Sequence, residues 1–132
     1  MPSMNDNETR KIKSGERIIT KGEKAAAAYM ILSGEVRVFL EDGSKTIELA
    51  KLGQYQIFGE TAILGDEDNS ANVDATKDTT LLVITPASLA KMLEETDPII
   101  QALIKMLIDR LKATNEALLK SETREFMDIA LI

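Results

Sequence analysis

The residues of this chain best placed for polar chemistry sit in one stretch, "FGETAILGDEDNSANV", from Phe58 to Val73. Glu60 follows a glycine, Thr61 follows Glu60, and Asn69, Ser70 and Asn72 close the stretch after the acidic run Asp66, Glu67 and Asp68. Gly59 permits close backbone approach, and Glu60 to Leu64 fit one helical turn that Gly65 ends. A short helix after a glycine aims several unpaired N–H groups at one point, which suits an anion. A carboxylate beside that point suits a sugar hydroxyl. The plainer alternative is a structural turn in which Glu60 complements the helix dipole, worth roughly a few tenths of a kcal/mol. No lysine or arginine occurs anywhere in the stretch.

Composition narrows the chemistry further. The chain has no histidine and no cysteine, so a Cys/His zinc site, a Ser–His triad and a thiol nucleophile are excluded. A carboxylate-only magnesium or calcium site stays compatible with this composition, but no cofactor is expected. An enzyme built on Glu60 or on Asp66 to Asp68 is the remote alternative, because no nucleophile or base stands at a convincing spacing. The net charge of −6 and the pI near 4.7 argue against a broad nucleic-acid surface. No apolar run approaches the roughly 18–20 residues of a membrane span, and "MPSMNDNETRKIK" lacks the apolar core of a signal peptide. With no cysteine to form disulfides, a cytoplasmic location is the simplest expectation.

The elements that must position these residues fall into two textures. At 132 residues, 44% hydrophobic and 29% charged, the chain reads as a single domain, 1–132, with an ordinary core. From about Ile12 to Thr85 it is short, β-branched and punctuated by glycine. "AYMILSG", "EVRVFLE", "KTIELAKL" and "TLLVIT" have strand length and composition. In "EVRVFL", Val36, Val38 and Leu40 alternate with Glu35, Arg37 and Phe39, the pattern of a half-buried strand. "LSGEV" and "EDGSK" predict turns that join neighbouring strands as hairpins. Many short strands at this spacing indicate a mainly β domain of jelly-roll type, a double-stranded β-helix.

After Thr85 the pattern becomes helical. Thr85 and Pro86 predict an N-cap and first turn for a helix at about 86–95, and Asp97 and Pro98 repeat the device for a longer one at about 98–121. Ile100, Leu103, Ile104, Leu107, Leu111 and Leu118 form an apolar stripe at helical spacing. Two readings of that stripe stand: a short dimer seam, or cover for the domain's own core. The tail at 122–132 contains "FMDIALI", apolar for a chain end, which suits either folding back on the roll or contact with a protein partner. Tyr29, Phe39, Phe58 and Phe126 are scattered, as core or surface anchors rather than a stacking platform.

The blocks "KGEKAAAAYMILSGEVRVF", "LAKLGQYQIFGETAIL" and "ANVDATKDTTLLVI", in this order and spacing, resemble the cyclic-nucleotide-binding domain family. The resemblance runs from about Ile12 to Leu119. It implies that Phe58, Gly59, Glu60, Thr61, Ala62, Asn69, Ser70, Ala71 and Asn72 form the phosphate-binding cassette, with Glu60 on the ribose hydroxyl. The family's cassette carries arginine where this chain has Asn69, and Thr or Ser where it has Asn72. Tyr55 and Gln56 replace a Gly-Asp pair just upstream.

A buried phosphate without its cation costs roughly 3–5 kcal/mol, and 1.4 kcal/mol is a decade of affinity. The acidic run beside Asn69 also opposes an anion, although solvent screens it. The resemblance therefore implies a regulatory, ligand-sensing or protein-interaction module with weak or lost cAMP and cGMP binding. Its ligand would then be a cyclic nucleotide or another nucleoside-like molecule. The alternative is a working cAMP or cGMP sensor that holds phosphate through backbone amides, Ser70 and Asn69. A homodimer through the 98–121 helix and a protein partner are both compatible. Direct DNA binding is not expected, because only about a dozen residues follow Lys120.

Overall fold

A computed structural model describes residues 8–65 and 67–119, and for Gly65, Lys112 and 114–119 the backbone alone. Asp66, Lys120 and the tail with Phe126 lie outside the described residues. The elements in chain order are β1 (Thr9–Ile12), β2 (Arg17–Ile19), β3 (Ala28–Ser33), β4 (Val36–Asp42) and β5 (Lys45–Leu52). They continue with β6 (Ile57–Phe58), α1 (Glu60–Gly65), β7 (Asn72–Ala75), β8 (Thr79–Ile84), α2 (Pro86–Glu94) and α3 (Pro98–Leu119).

The strands form two four-stranded antiparallel sheets, ordered β1-β8-β3-β6 and β2-β7-β4-β5. Consecutive strands alternate between the sheets at several points, which is the jelly-roll topology. Inward side chains from both sheets make the core. Ile31, Val36, Val38 and Leu81 are almost wholly buried there, with Ile12, Ile19, Tyr29, Phe58, Val73 and Val83 around them.

One expected hairpin forms and the other does not. β4 and β5 pair from Asp42↔Lys45 to Val36↔Leu52 across the "EDGSK" turn. "LSGEV" is instead a crossing between sheets, since β3 pairs with β6 and β8 while β4 pairs with β5 and β7. The crossing is tight: Gly34 has φ +102, and a Cβ there would lie 2.6 Å from the Asp78 carbonyl oxygen. A glycine turn reads the same from sequence in either role. Only the pairing partners distinguish them.

The roll also starts earlier than Ile12. β1 pairs along β8 from Thr9↔Leu82 to Ile12↔Thr79, yet only Ile12 in "TRKI" is buried. An exposed edge strand of this kind has no apolar alternation to announce it.

Phe39 departs from the expected outward exposure of its alternation, being 1% exposed. The guanidiniums of Arg17 and Arg37 cover its ring, at 5.1 and 4.4 Å from the centroid. Asp74 bridges the two arginines on the same outer face. A ladder irregularity between Val38 and Phe39 lies at this point of β4.

The helices begin where the caps predicted. The Thr85 hydroxyl accepts the Ser88 N–H at 3.0 Å, and the Ser88 hydroxyl accepts the Thr85 N–H at 2.9 Å, a reciprocal capping box. Asp97 Oδ1 accepts the Ile99 N–H at 2.8 Å at the start of α3. α3 contacts α1, and Ile104 and Leu111 of its stripe are half-buried, as is Ile108 outside it. It leaves Ile100, Leu103 and Leu107 exposed, together with Ile99 at 70%. These exposed members do not cover the domain's own core. The Leu118 side chain lies outside the described part.

Candidate ligand-binding site

A cavity of about 330 Å³ opens between the inner face of the β2-β7-β4-β5 sheet and the β6–α1 segment. Three local devices build it. First, the short strand β6 pairs Phe58 with Tyr29, and the two rings stack at 5.4 Å with 28° between planes. That stack fixes Phe58 in the cavity wall. Second, Gly59 at φ +79 turns the chain from β6 into α1. A Cβ at Gly59 would stand 3.1 Å from Ile19 Cδ1 and 3.4 Å from the Ala27 carbonyl oxygen. Glycine is therefore favoured by the backbone conformation, and a Cβ would press on the end of the Ile19 side chain. Third, the loop after α1 is tied by its backbone to the β2–β3 loop. Asn69 N–H donates to the Glu23 carbonyl at 2.9 Å, and Gly22 N–H donates to the Asn69 carbonyl at 2.8 Å. Lys24 faces Asp68 in an isolated bridge beside them.

Of the residues singled out by sequence, Phe58, Gly59, Glu60, Thr61, Ala62, Asn69, Ser70 and Ala71 all line this cavity. Asn72 does not. Its side chain lies on the opposite face of β7, where Oδ1 accepts the Lys21 N–H at 2.8 Å and a bond from Arg17 Nη1 at 3.1 Å. The reason is the strand period: Ala71 and Val73 point inward to the cavity, so Asn72 between them points out. Asn72 is a buried polar residue satisfied by the outer-face arginine.

The apolar walls come from residues the sequence left unassigned. Ile19, Val38, Leu49, Leu52, Ile57 and Val73 surround the polar cluster. The alternation of β4 carries a signal for Val38. Nothing local to β5 shows that Leu49 and Leu52 meet the segment around Gly59.

The electrostatics of the cavity are lopsided. Among the described residues, Glu60 is the one ionisable residue in the lining, beside the neutral groups of Thr61, Asn69 and Ser70. Partial burial pushes the Glu60 carboxyl above its ordinary value, opposed by a hydrogen bond from its own backbone N–H. Among the described residues no lysine or arginine belongs to the lining. Chemically, the arrangement can accept hydrogen bonds at Glu60, exchange them at Asn69 and Ser70, and cover apolar surface with its walls.

Comparison with known proteins places this cavity in context. The model of the family described as cyclic nucleotide-binding domain matches residues 9–96. The cAMP-dependent protein kinase type II regulatory subunit of Drosophila melanogaster is 38% identical over 63 residues, covering 48% of this chain and 17% of that protein. The cyclic AMP receptor protein of Thermus thermophilus is 37% identical over 71 residues, covering 53% of this chain and 33% of that protein. The chain thus spans a third or less of the length of these relatives. Among solved structures, the halfsite-occupied form of the EAL enzyme Bd1971 is similar, with a TM-score of 0.80 at 29% identity. That similarity covers 83% of this chain and 98% of the solved one. The cAMP-bound and cGMP-bound forms of the same enzyme match with TM-scores of 0.65 and 0.63. Among the described residues no helix is long and apolar enough to cross a membrane.

Proposed function

The chain belongs to the cyclic nucleotide-binding domain family, and from that premise we propose a regulatory ligand-sensing module that has lost its phosphate anchor. The observation that carries this reading is the lining of the cavity. Among the described residues it includes Glu60 and Asn69 and no lysine or arginine, and the resemblance implies a sugar-side role for Glu60 and an arginine where Asn69 stands. Asn69 can donate a hydrogen bond but supplies no charge. A bidentate guanidinium–phosphate pair is among the strongest polar contacts a protein makes, so its loss falls directly on cAMP and cGMP affinity.

Titration calorimetry with cAMP and cGMP tests the proposal. The expected result is no dissociation constant in the micromolar range or tighter. A micromolar constant for either nucleotide overturns it and favours the second reading, a functional sensor holding phosphate through Ser70, Asn69 and backbone amides. The cAMP- and cGMP-bound forms of the similar EAL enzyme support that second reading.

The module acts by binding rather than by catalysis, in the cytoplasm. Its exposed α3 face, with Ile100, Leu103 and Leu107, supports self-association or a protein partner.

A further inference from the structure

We infer that the cavity takes a small hydroxylated organic cation, with a protonated amine seated against the Glu60 carboxylate. The inference rests on the reading above, in which the phosphate-side cation is gone, and names what replaces the anion.

The first support is the balance of charge inside the cavity. Among the described residues, Glu60 is the single ionisable group in the lining, and the polar groups near it are a carboxamide and two hydroxyls. Those groups can accept or donate hydrogen bonds but cannot neutralise a carboxylate.

The second support is where the cations of the fold are engaged. Among the described residues, Arg17 pairs with Asp74 and Glu41, Arg37 with Asp74, and Lys77 with Glu35. Arg17 and Arg37 serve the outer face of the sheet, against Phe39. Lys77 serves the turn before β8. Lys24, whose backbone bridges that of Asp68, is not part of the lining. Glu60 receives no counter-ion from any of them.

The third support is the rim itself, where Glu67 and Asp68 are exposed beside Asn69. An anionic ligand meets the Glu60 carboxylate inside the cavity, with no lysine or arginine among the described lining residues, and two more carboxylates beside it. A neutral ligand displaces water from Glu60 and leaves the carboxylate without a charged partner, which penalises its ionised form. A cationic ligand supplies the missing partner through a charge-assisted hydrogen bond. The walls, with Leu49, Leu52, Ile57 and Phe58, cover the ligand's apolar part. The cavity's 330 Å³ falls at the small end of the roughly 300–1,000 Å³ typical of such sites.

A matched series on one scaffold tests the inference. The probes are cAMP, adenosine and 3′-amino-3′-deoxyadenosine, titrated into the full chain at neutral pH and followed by NMR chemical shifts. The amine sits next to the sugar hydroxyl that Glu60 would meet. The expected result is binding of the aminonucleoside about ten-fold or more tighter than adenosine, with cAMP weakest. In Glu60→Gln the advantage of the amine falls to within about two-fold, while thermal melting verifies that the variant is folded. Equal affinity for the aminonucleoside and adenosine, with cAMP still weakest, overturns the cation and leaves the lost-anchor reading standing. Tightest binding of cAMP overturns both. Binding of none of the three, or an amine advantage that persists in Glu60→Gln, overturns the inference. The comparison on the unaltered chain decides the matter even if the variant does not fold.

Discussion

The Asn72 side chain accepts the backbone N–H of Lys21 at 2.8 Å on the face of β7 that looks away from the cavity. With the further bond from Arg17, this makes Asn72 a fastener between β2 and β7. Asn72→Ala removes both part-buried hydrogen bonds, a loss of about 0.5–1.5 kcal/mol for each. Urea denaturation is expected to show that loss, with ligand titrations unchanged. A variant of parental stability but altered ligand affinity would return Asn72 to the binding site.

Asn69→Arg replaces the cation that the cavity lacks. If the side chain at this position faces the phosphate, cAMP affinity rises roughly 10- to 1,000-fold. Calorimetry on parent and variant measures it. No gain would mean that residue 69 is not the phosphate-side position.

Gly34 carries the crossing from β3 to β4 with no room for a side chain. A Cβ would lie 2.4 Å from Thr79 Oγ1 and 2.6 Å from the Asp78 carbonyl oxygen, at φ +102. Thr79 is itself buried and hydrogen-bonded to Glu35 and Lys77. Gly34→Ala is expected to cost about 2–4 kcal/mol, read as a lower denaturation midpoint. A neutral effect would show that the turn can open without disturbing β8.

Partial burial raises the Glu60 carboxyl above its ordinary value, which is about 4.3 for glutamate. The folded chain then holds this proton more tightly than the unfolded chain does. Its contribution to stability is complete below the ordinary value and is lost as pH rises through the raised folded value. Glu60→Gln removes that titration. The variant should therefore gain stability relative to the parent as pH rises across this window. Denaturation midpoints at several pH values measure the gain, and a pH-independent difference would show that the carboxyl is not desolvated.

The exposed side of α3 presents Ile100, Leu103 and Leu107, the last 59% exposed. If this face forms a seam between two copies, Leu103→Glu with Leu107→Glu weakens the dimer by at least about ten-fold, because two carboxylates enter an apolar contact. Sedimentation equilibrium reads the change. A parent chain that is monomeric at high concentration excludes the seam.

Much of this architecture is written locally. The alternation of Val36 and Val38, the capping pairs Thr85–Pro86 and Asp97–Pro98, and the order of the glycine blocks each carry a physical instruction that acts over a few residues. Tyr55 shows the limit of that legibility. It adopts φ 67, a conformation that disfavours a side chain by roughly 1–2 kcal/mol, at the position where the resemblance implies glycine. Its own chemistry gives no hint of this, since the surrounding hydrogen bonds impose it, including Tyr55 N–H to the Ile31 carbonyl at 2.6 Å.

The sequence by itself determined the jelly roll, the capped helices and eight of the cassette positions that meet in the cavity, because periodicity, caps and glycine turns are short-range signals. The tertiary structure alone decided that "LSGEV" crosses between sheets, that Phe39 lies beneath two arginines, and that Asn72 faces away from the site. It also decided which distant walls close around Glu60 and that, among the described residues, none of them brings a positive charge. Those outcomes depend on which strands pair and which face each side chain takes, and strand pairing is a relation between segments far apart in the chain.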